Sequence, residues 1–142
     1  HLTMKKYILL LIIPFFMGCE KDSVGSNNPF LPDYPVNLNI NLNLPTYNNL
    51  NYVGNGVLIN TAGVGIRGIF VFNNGNGYVA FDAACPNQAL SDCSSMVLNG
   101  INAKCPCDDA EYSLFTGLSE GKNYPMKPYR TEINGNIIRV YN

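Results

Sequence analysis

Two short stretches hold four of the five cysteines of this chain. Residues 84–93 read ACPNQALSDC and residues 104–115 read KCPCDDAEYSLF, and each stretch contains a Cys-Pro step. Together they give the pattern C-x-N, then seventeen residues, then C-x-x-D. Cysteines clustered in this way form either disulfides or a metal site, so the way in which the two stretches meet decides the chemistry.

The segments around these stretches predict many short strands. From Val36 to Leu44, apolar and polar residues alternate without a break, the period-2 pattern of a strand with one buried face. Asn99-Gly100 and Asn134-Gly135 are strong signals for two-residue hairpin turns. No stretch of a dozen residues has helical periodicity, so we predict an all-β domain of antiparallel strands, a sandwich or a small barrel. Further strands are predicted at 56–60, 66–72, 78–82, 96–98, 101–104, 129–133 and 136–141.

Length, charge and histidine content exclude several functions. The chain has 142 residues and a net charge of −1, which suits one globular domain. No run of more than two Lys or Arg residues occurs, so the positive charge needed to bind nucleic acid is missing. The only histidine is His1, which excludes Ser-His and Cys-His nucleophile pairs. We therefore expect no nucleic-acid partner and no enzymatic activity, with oxidoreductase or electron-transfer activity as the alternative.

The first eighteen residues have the pattern of a signal peptide. Lys5 and Lys6 precede an apolar run of eleven residues, 7–17, which is too short to span a bilayer as a helix. Residues 16–19, FMGC, resemble a bacterial lipobox, which implies cleavage before Cys19 and attachment of lipid to it. The alternative is an ordinary secretory peptide with an incidental cysteine. Both interpretations place the mature protein outside the cytosol, and the first anchors it to a membrane on the periplasmic or cell-surface side.

The composition then predicts the organisation of the chain. Between the signal peptide and Val36, the sequence is rich in Ser, Gly, Asn and Pro and has little periodicity, which is typical of a flexible tether. We predict a lipoprotein signal peptide at 1–18, a tether at 19–35 and a β-domain at 36–142.

On these residues the chain resembles the Rieske iron-sulfur proteins, and in particular small bacterial Rieske-like lipoproteins. The Rieske signature is C-x-H, fifteen to seventeen residues, then C-x-x-H. The segment 78–82 resembles the strand that leads into the first cluster loop, 111–117 resembles the segment after the second loop, and 122–130 resembles the proline loop. The likeness covers about 50–141. It implies a Rieske-like fold with a two-loop subdomain, of the cluster-binding type, at about 81–117.

The departure from that signature concerns the ligands. The resemblance makes Cys85, Asn87, Cys105 and Asp108 the cluster-ligand positions, with Asn87 and Asp108 in place of the two histidines. A Rieske centre depends on two histidine nitrogens bound to one iron, so such a centre is not expected here. We expect a degenerate member with no cofactor. The alternative is a [2Fe-2S] cluster held by these four residues, with a hard carboxylate and a weak amide as ligands.

Without a cluster, the four cysteines are expected to form disulfides in an oxidising compartment, and four cysteines allow three pairings. In one branch of the Rieske family, a disulfide joins the two loops outside the cluster. Cys93 and Cys107 match those positions. The resemblance also implies that Cys85 and Cys105, the two cysteine ligand positions, face each other, so they are the second candidate pair. A zinc site is disfavoured because the chain has no C-x-x-C knuckle. A calcium site is the alternative to a solvated acidic face for the loop carboxylates Asp82, Asp92, Asp108, Asp109 and Glu111.

The sequence thus favours a lipid-anchored Rieske-like domain without a cluster, acting in binding or in envelope structure. Its partner is the membrane, through the anchor, together with a protein or small molecule that the sequence does not identify. The first rival is an electron carrier with the cluster described above. The second rival is thiol-disulfide exchange at an exposed bridge between the loops.

Overall fold

The computed structural model describes residues 28–61 and 63–142. The predicted signal peptide, the predicted lipidation site Cys19 and the first part of the predicted tether lie outside the described residues. Among the described residues, no helix has the length and apolar character needed to cross a bilayer.

In the described part of the chain, nine strands form two antiparallel sheets, and the prediction of an all-β fold is confirmed. The larger sheet has six strands in the order β1-β9-β8-β4-β3-β2, and the smaller sheet has the order β5-β6-β7. The strands are β1 Asn37–Asn41, β2 Gly56–Ile59, β3 Ile69–Asn73, β4 Tyr78–Asp82, β5 Val97–Asn99, β6 Asn102–Lys104, β7 Glu111–Ser113, β8 Pro128–Asn134 and β9 Ile137–Tyr141. A single turn of 3-10 helix, Asn48–Asn51, precedes β2.

The observed strands differ from the predicted ones mainly at their ends. β4 has the predicted bounds, and the two Asn-Gly hairpins join β5 to β6 and β8 to β9. β1 ends at Asn41, three residues early, because the chain turns there and leaves Leu44 exposed to solvent. β7 was not predicted, since three residues are too few to show an alternating pattern.

Strand β3, which lies between β4 and β2, separates two apolar clusters. Ile69 and Val71 face a cluster that includes Ile40, Leu50 and Ile138. Phe70 and Phe72 face the opposite way, into a second cluster that contains Cys85 and Cys105. Both faces of β3 are therefore buried, which explains why its sequence IFVFN is almost uniformly apolar. The second cluster is the base on which the cysteine loops rest.

Residues 28–36 pack against the domain, and we call them the N-terminal strap. Asn28 and Leu31 are buried, and the Asn28 side chain donates a hydrogen bond of 2.7 Å to the carbonyl oxygen of Pro86. The ring of Phe30 meets that of Tyr124 edge to face, with centroids 6.0 Å apart. Composition predicts a flexible tether for residues 28–35, whereas in the structure Asn28 contacts Pro86 and Phe30 contacts Tyr124. Composition alone does not reveal these contacts.

Candidate functional site

Two loops meet at one end of the domain, and we call them the two-loop tip: residues 83–95 and 105–110. The first loop follows β4. It is closed by a hydrogen bond of 2.8 Å from the Cys85 N–H to the backbone carbonyl oxygen of Ser94. The second loop lies between β6 and β7 and is closed by the bond from the Cys105 N–H to the Ala110 oxygen, 2.9 Å. Each cysteine that opens a loop is thus fixed by the backbone.

Two disulfides join the loops. Cys85 is bonded to Cys105, with Cα atoms 5.7 Å apart, and Cys93 is bonded to Cys107, with Cα atoms 5.1 Å apart. These are the two pairs that the family resemblance implied. The first pair, which we call the inner disulfide, is fully buried in the second apolar cluster. The second pair, the outer disulfide, is exposed at Cys93 and partly buried at Cys107.

The two disulfides are neighbours. The Sγ atoms of Cys85, Cys105 and Cys107 all lie within 4.8 Å of one another, and Cys93 is outside this group. The hydroxyl oxygen of Ser91 lies 3.3 Å from Cys93 Sγ and 4.0 Å from Cys107 Sγ. Cys107 therefore belongs to the outer bond while its sulfur lies beside the inner one.

Asn87, at the first histidine position of the signature, uses its amide to hold another loop. Its Nδ2 donates to the hydroxyl oxygen of Tyr112 at 2.7 Å and to the carbonyl oxygen of Tyr124 at 2.9 Å. Its Oδ1 accepts from the Tyr124 N–H at 2.9 Å. This last bond fixes the orientation of the amide, because a backbone N–H needs an oxygen as partner. The side chain therefore ties the first loop to the segment around Tyr124.

Asp108, at the second histidine position, is engaged with a cation. One carboxylate oxygen accepts from Lys122 Nζ at 2.9 Å, and the other accepts from the Ala110 N–H at 3.0 Å. Partial desolvation raises the pKa of Asp108, but the hydrogen bonds from Lys122 and Ala110 outweigh it, so the pKa lies below its ordinary value. The carboxylate is therefore ionised at neutral pH and paired with Lys122.

A buried carboxylate at the end of β4 supports the first loop. Asp82 accepts hydrogen bonds from the N–H groups of Ile66, Arg67 and Ala84, at 2.7, 3.1 and 2.9 Å, and from the Tyr129 hydroxyl at 2.6 Å. Burial, and then the charge of Asp82, raise the pKa of Tyr129 above its ordinary value. A Cβ on Gly65 would come within 2.5 Å of the Asp82 carboxylate, so only glycine fits beside it.

The carboxylates around the tip point to different partners. Asp82 faces N–H groups and Tyr129, Asp108 faces Lys122, and Asp109 lies 3.8 Å from Lys104 with most of its side chain exposed. Glu111 accepts from the amides of Asn99 and Asn102. Within the described residues, the only group of His, Cys, Asp or Glu side chains close enough to share a metal consists of Cys85, Cys105 and Cys107. The geometry favours separate hydrogen-bonded acids over a calcium site.

The side chains at the four cluster-ligand positions do not fit a Rieske cluster in this arrangement. Cys85 and Cys105 are bonded to each other as a disulfide. Asn87 donates and accepts hydrogen bonds within the domain, and Asp108 forms an ion pair with Lys122. A Rieske centre is held by cysteine thiolates and histidine nitrogens, and these four positions offer neither while Cys85 and Cys105 are bonded to each other.

Several solved structures are similar in overall shape. No protein-family model and no curated protein match the sequence. The ferredoxin of carbazole 1,9a-dioxygenase from Nocardioides aromaticivorans is 18% identical, with a TM-score of 0.47, over 76% of this chain and 97% of that one. A structure described as a putative NADH-dependent nitrite reductase small subunit from Mycobacterium tuberculosis is 17% identical, with a TM-score of 0.46, over 78% of this chain and 97% of that one. These values are too low to assign a function.

Sequence reasoning missed two side chains that shape the tip. Tyr112 is fully buried and binds Asn87, and Ser91 contacts both sulfurs of the outer disulfide. Tyr112 had a signal, since it lies in the aromatic segment after the second loop. Ser91 had none, because a serine two residues before a cysteine is unremarkable until the loop is folded.

Proposed function

We propose that this chain is a lipid-anchored, extracytoplasmic Rieske-like domain without an iron-sulfur cluster, whose disulfide-linked loops serve in binding a protein partner. The observation that carries the proposal is the state of the four cluster-ligand positions. Cys85 and Cys105 are bonded to each other, and Asn87 and Asp108 are both occupied by contacts within the domain.

The disulfides supply the stiffness that a cluster gives to such loops elsewhere. The chain-entropy model assigns about 3 kcal/mol to each bond, given sequence separations of 20 and 14 residues. Asn87 and Asp108 add contacts that tie the tip to Tyr124 and Lys122 of the segment 122–124. A rigid tip loses little conformational entropy on binding, which favours a role in recognition.

Exposed apolar side chains support a protein partner. Five large apolar residues are exposed between 97 and 118, on the smaller sheet and the turns that follow it. They are Val97, Leu98, Ile101, Phe115 and Leu118. Several exposed apolar side chains within one short region are typical of a surface that contacts another protein.

Iron analysis of the full chain tests the loss of the cluster. Protein purified without oxygen should contain far less than one iron per chain and show no visible absorption, before and after incubation with ferrous iron and sulfide. About two irons and two sulfides per chain, with a red-brown colour, would overturn the proposal. The same result would establish the electron-carrier alternative, with Cys85, Asn87, Cys105 and Asp108 as ligands. That alternative requires the inner disulfide to open, which brings its two thiolates beside Cys107.

The anchor is tested separately. Expression in a bacterial host with labelled palmitate should place label on the wild-type chain and none on Cys19→Ser, and only the wild type should sediment with membranes. Absence of label on the wild-type chain would contradict the lipid anchor. It would not affect the proposal that the disulfide-linked loops hold no cluster.

A further inference from the structure

We infer that the two-loop tip is a thiol-disulfide exchange site for a dithiol protein, in which Cys107 passes the exchange from the exposed outer disulfide to the buried inner one. This activity goes beyond the binding role proposed above. It rests on the arrangement of the four sulfurs and on their unequal exposure.

Access favours the outer disulfide as the entry point. Cys93 is exposed, whereas Cys85 and Cys105 have no exposed surface. A thiolate attacks a disulfide sulfur only where it can approach it, so an external thiol reaches Cys93 and not the inner pair. Attack on Cys93 Sγ forms a mixed disulfide and releases Cys107 as a thiolate.

The Ser91 hydroxyl is placed to assist that release. Its oxygen lies 3.3 Å from Cys93 Sγ and 4.0 Å from Cys107 Sγ. The Ser91 N–H donates to the Ser94 hydroxyl at 2.8 Å, which holds the residue in place. A hydrogen bond to a departing thiolate stabilises it and speeds cleavage.

A dithiol partner reduces the outer disulfide, and an internal exchange then follows. The partner's first thiolate bonds to Cys93, and its second thiolate then attacks that mixed disulfide, so the partner leaves as a disulfide, oxidised by two electrons. The tip gains two electrons and, with two protons, holds thiols at Cys93 and Cys107. The Cys107 thiolate next attacks Cys85 or Cys105, bonds to it and releases the other as a thiolate. This second exchange involves no net electron transfer.

Cys107 is the outer cysteine placed for the internal exchange. Its Sγ lies within 4.8 Å of both inner sulfurs, and Cys93 does not belong to this close group of three. A thiolate at Cys107 needs to move by only about 1 Å to contact either inner sulfur. The exchange therefore reaches a bond that external thiols cannot approach.

Two single substitutions in the full chain test the relay. Cys93→Ser leaves Cys107 without its partner, and Cys107→Ser leaves Cys93 without its partner. Acid quenching, alkylation and tandem mass spectrometry locate the free thiol and resolve it from Cys19. In Cys93→Ser, label should appear on Cys107 and also on Cys85 or Cys105. In Cys107→Ser, label should appear on Cys93 alone.

Label confined to Cys107 in the first variant, or spread equally in both variants, would overturn the relay. If either variant fails to fold, as judged by near-ultraviolet circular dichroism, the wild-type chain treated with one equivalent of dithiothreitol replaces it. There, thiols at Cys93 and Cys107 should precede thiols at Cys85 or Cys105, and simultaneous appearance would overturn the relay.

The rate of reduction provides a second readout. Dithiothreitol should reduce the inner disulfide at least about 10-fold more slowly in the Cys93→Ser/Cys107→Ser double variant than in the wild type, since the internal route is lost. Ser91→Ala should slow reduction of the outer disulfide about 5-fold, with Ser95→Ala as the matched control. Equal inner rates in wild type and double variant would refute the relay. Iron content is measured on the same samples, so a cluster would be recognised as a failure of the proposed function instead.

Discussion

The side-chain nitrogen of Asn87 donates a hydrogen bond of 2.7 Å to the hydroxyl oxygen of Tyr112. Tyr112 is fully buried beneath the loops, and burial raises the pKa of its phenol. The hydroxyl therefore remains protonated near neutral pH and offers an oxygen to the amide. The first histidine position of the signature is thus built into the interior packing of the tip, where a change of side chain affects stability directly.

Asn87→Ala should destabilise the domain by about 2 kcal/mol. The substitution removes three hydrogen bonds and leaves the Tyr124 N–H and the Tyr112 hydroxyl without this partner. Urea unfolding measures the loss, with Asn123→Ala, an exposed residue in the adjoining loop, as control. Equal stability of the two variants would contradict the structural role of Asn87.

Removing either disulfide should cost about 3 kcal/mol, from loop entropy alone. The inner pair is compared as Cys85→Ala/Cys105→Ala and the outer pair as Cys93→Ser/Cys107→Ser. The variant without the inner disulfide should lose more stability. Its sulfurs are fully buried, so their removal also leaves a cavity in the apolar cluster. Thermal unfolding of both variants under identical conditions gives the order, and a larger loss for the outer pair would contradict it.

Asp82→Asn should lower the free energy of unfolding by about 2–4 kcal/mol. The carboxylate accepts from three N–H groups and one hydroxyl, and an amide would turn an NH₂ donor toward some of those donors. Asp92→Asn, the same change at an exposed loop position, serves as the control and should lie within about 0.5 kcal/mol of wild type.

Stability should fall as the pH rises above about 10, the ordinary pKa of tyrosine. The pKa of Tyr129 is raised in the folded state by burial and by Asp82, so the unfolded chain loses its phenol proton first. The contribution is complete below pH 10 and declines as the pH moves toward the folded-state value. Tyr129→Phe should be less stable at pH 8 and show a smaller decline between pH 9 and 11. An unchanged slope would assign the effect to Tyr78 and Tyr112, whose pKa values are also raised by burial.

Asp33→Ala should loosen the N-terminal strap. The Lys127 side chain is 2% exposed, and its ammonium hydrogen-bonds to the carboxylate of Asp33, whose side chain is 68% exposed. Removing that acceptor leaves a buried cation without its partner, at a cost of about 1–2 kcal/mol after allowance for solvent screening. Hydrogen exchange should accelerate at residues 30–36, and Asp109→Ala, which removes an exposed pair with Lys104, should leave those amides unchanged.

Local patterns predicted the strands well where one face is buried. Asn-Gly steps located two hairpins, and the alternation from Val36 indicated β1. The spacing of cysteines, read through the family resemblance, indicated which sulfurs meet. Contacts between distant segments could not be predicted, because no local pattern records them. Asn28 reaches Pro86 over 58 residues, and Tyr129 reaches Asp82 over 47 residues.

If Cys19 is lipidated as proposed, the hydrogen bond from Asn28 to Pro86 limits the distance between the loops and the lipid surface. Cys19 and Asn28 are nine residue steps apart, and a chain of that length extends at most about 32 Å. If Cys19 carries the anchor, the disulfide end of the domain faces the headgroups from no farther than that. A partner that reacts with Cys93 must then work in the narrow aqueous layer over the bilayer, which favours another membrane-tethered protein over one that diffuses freely.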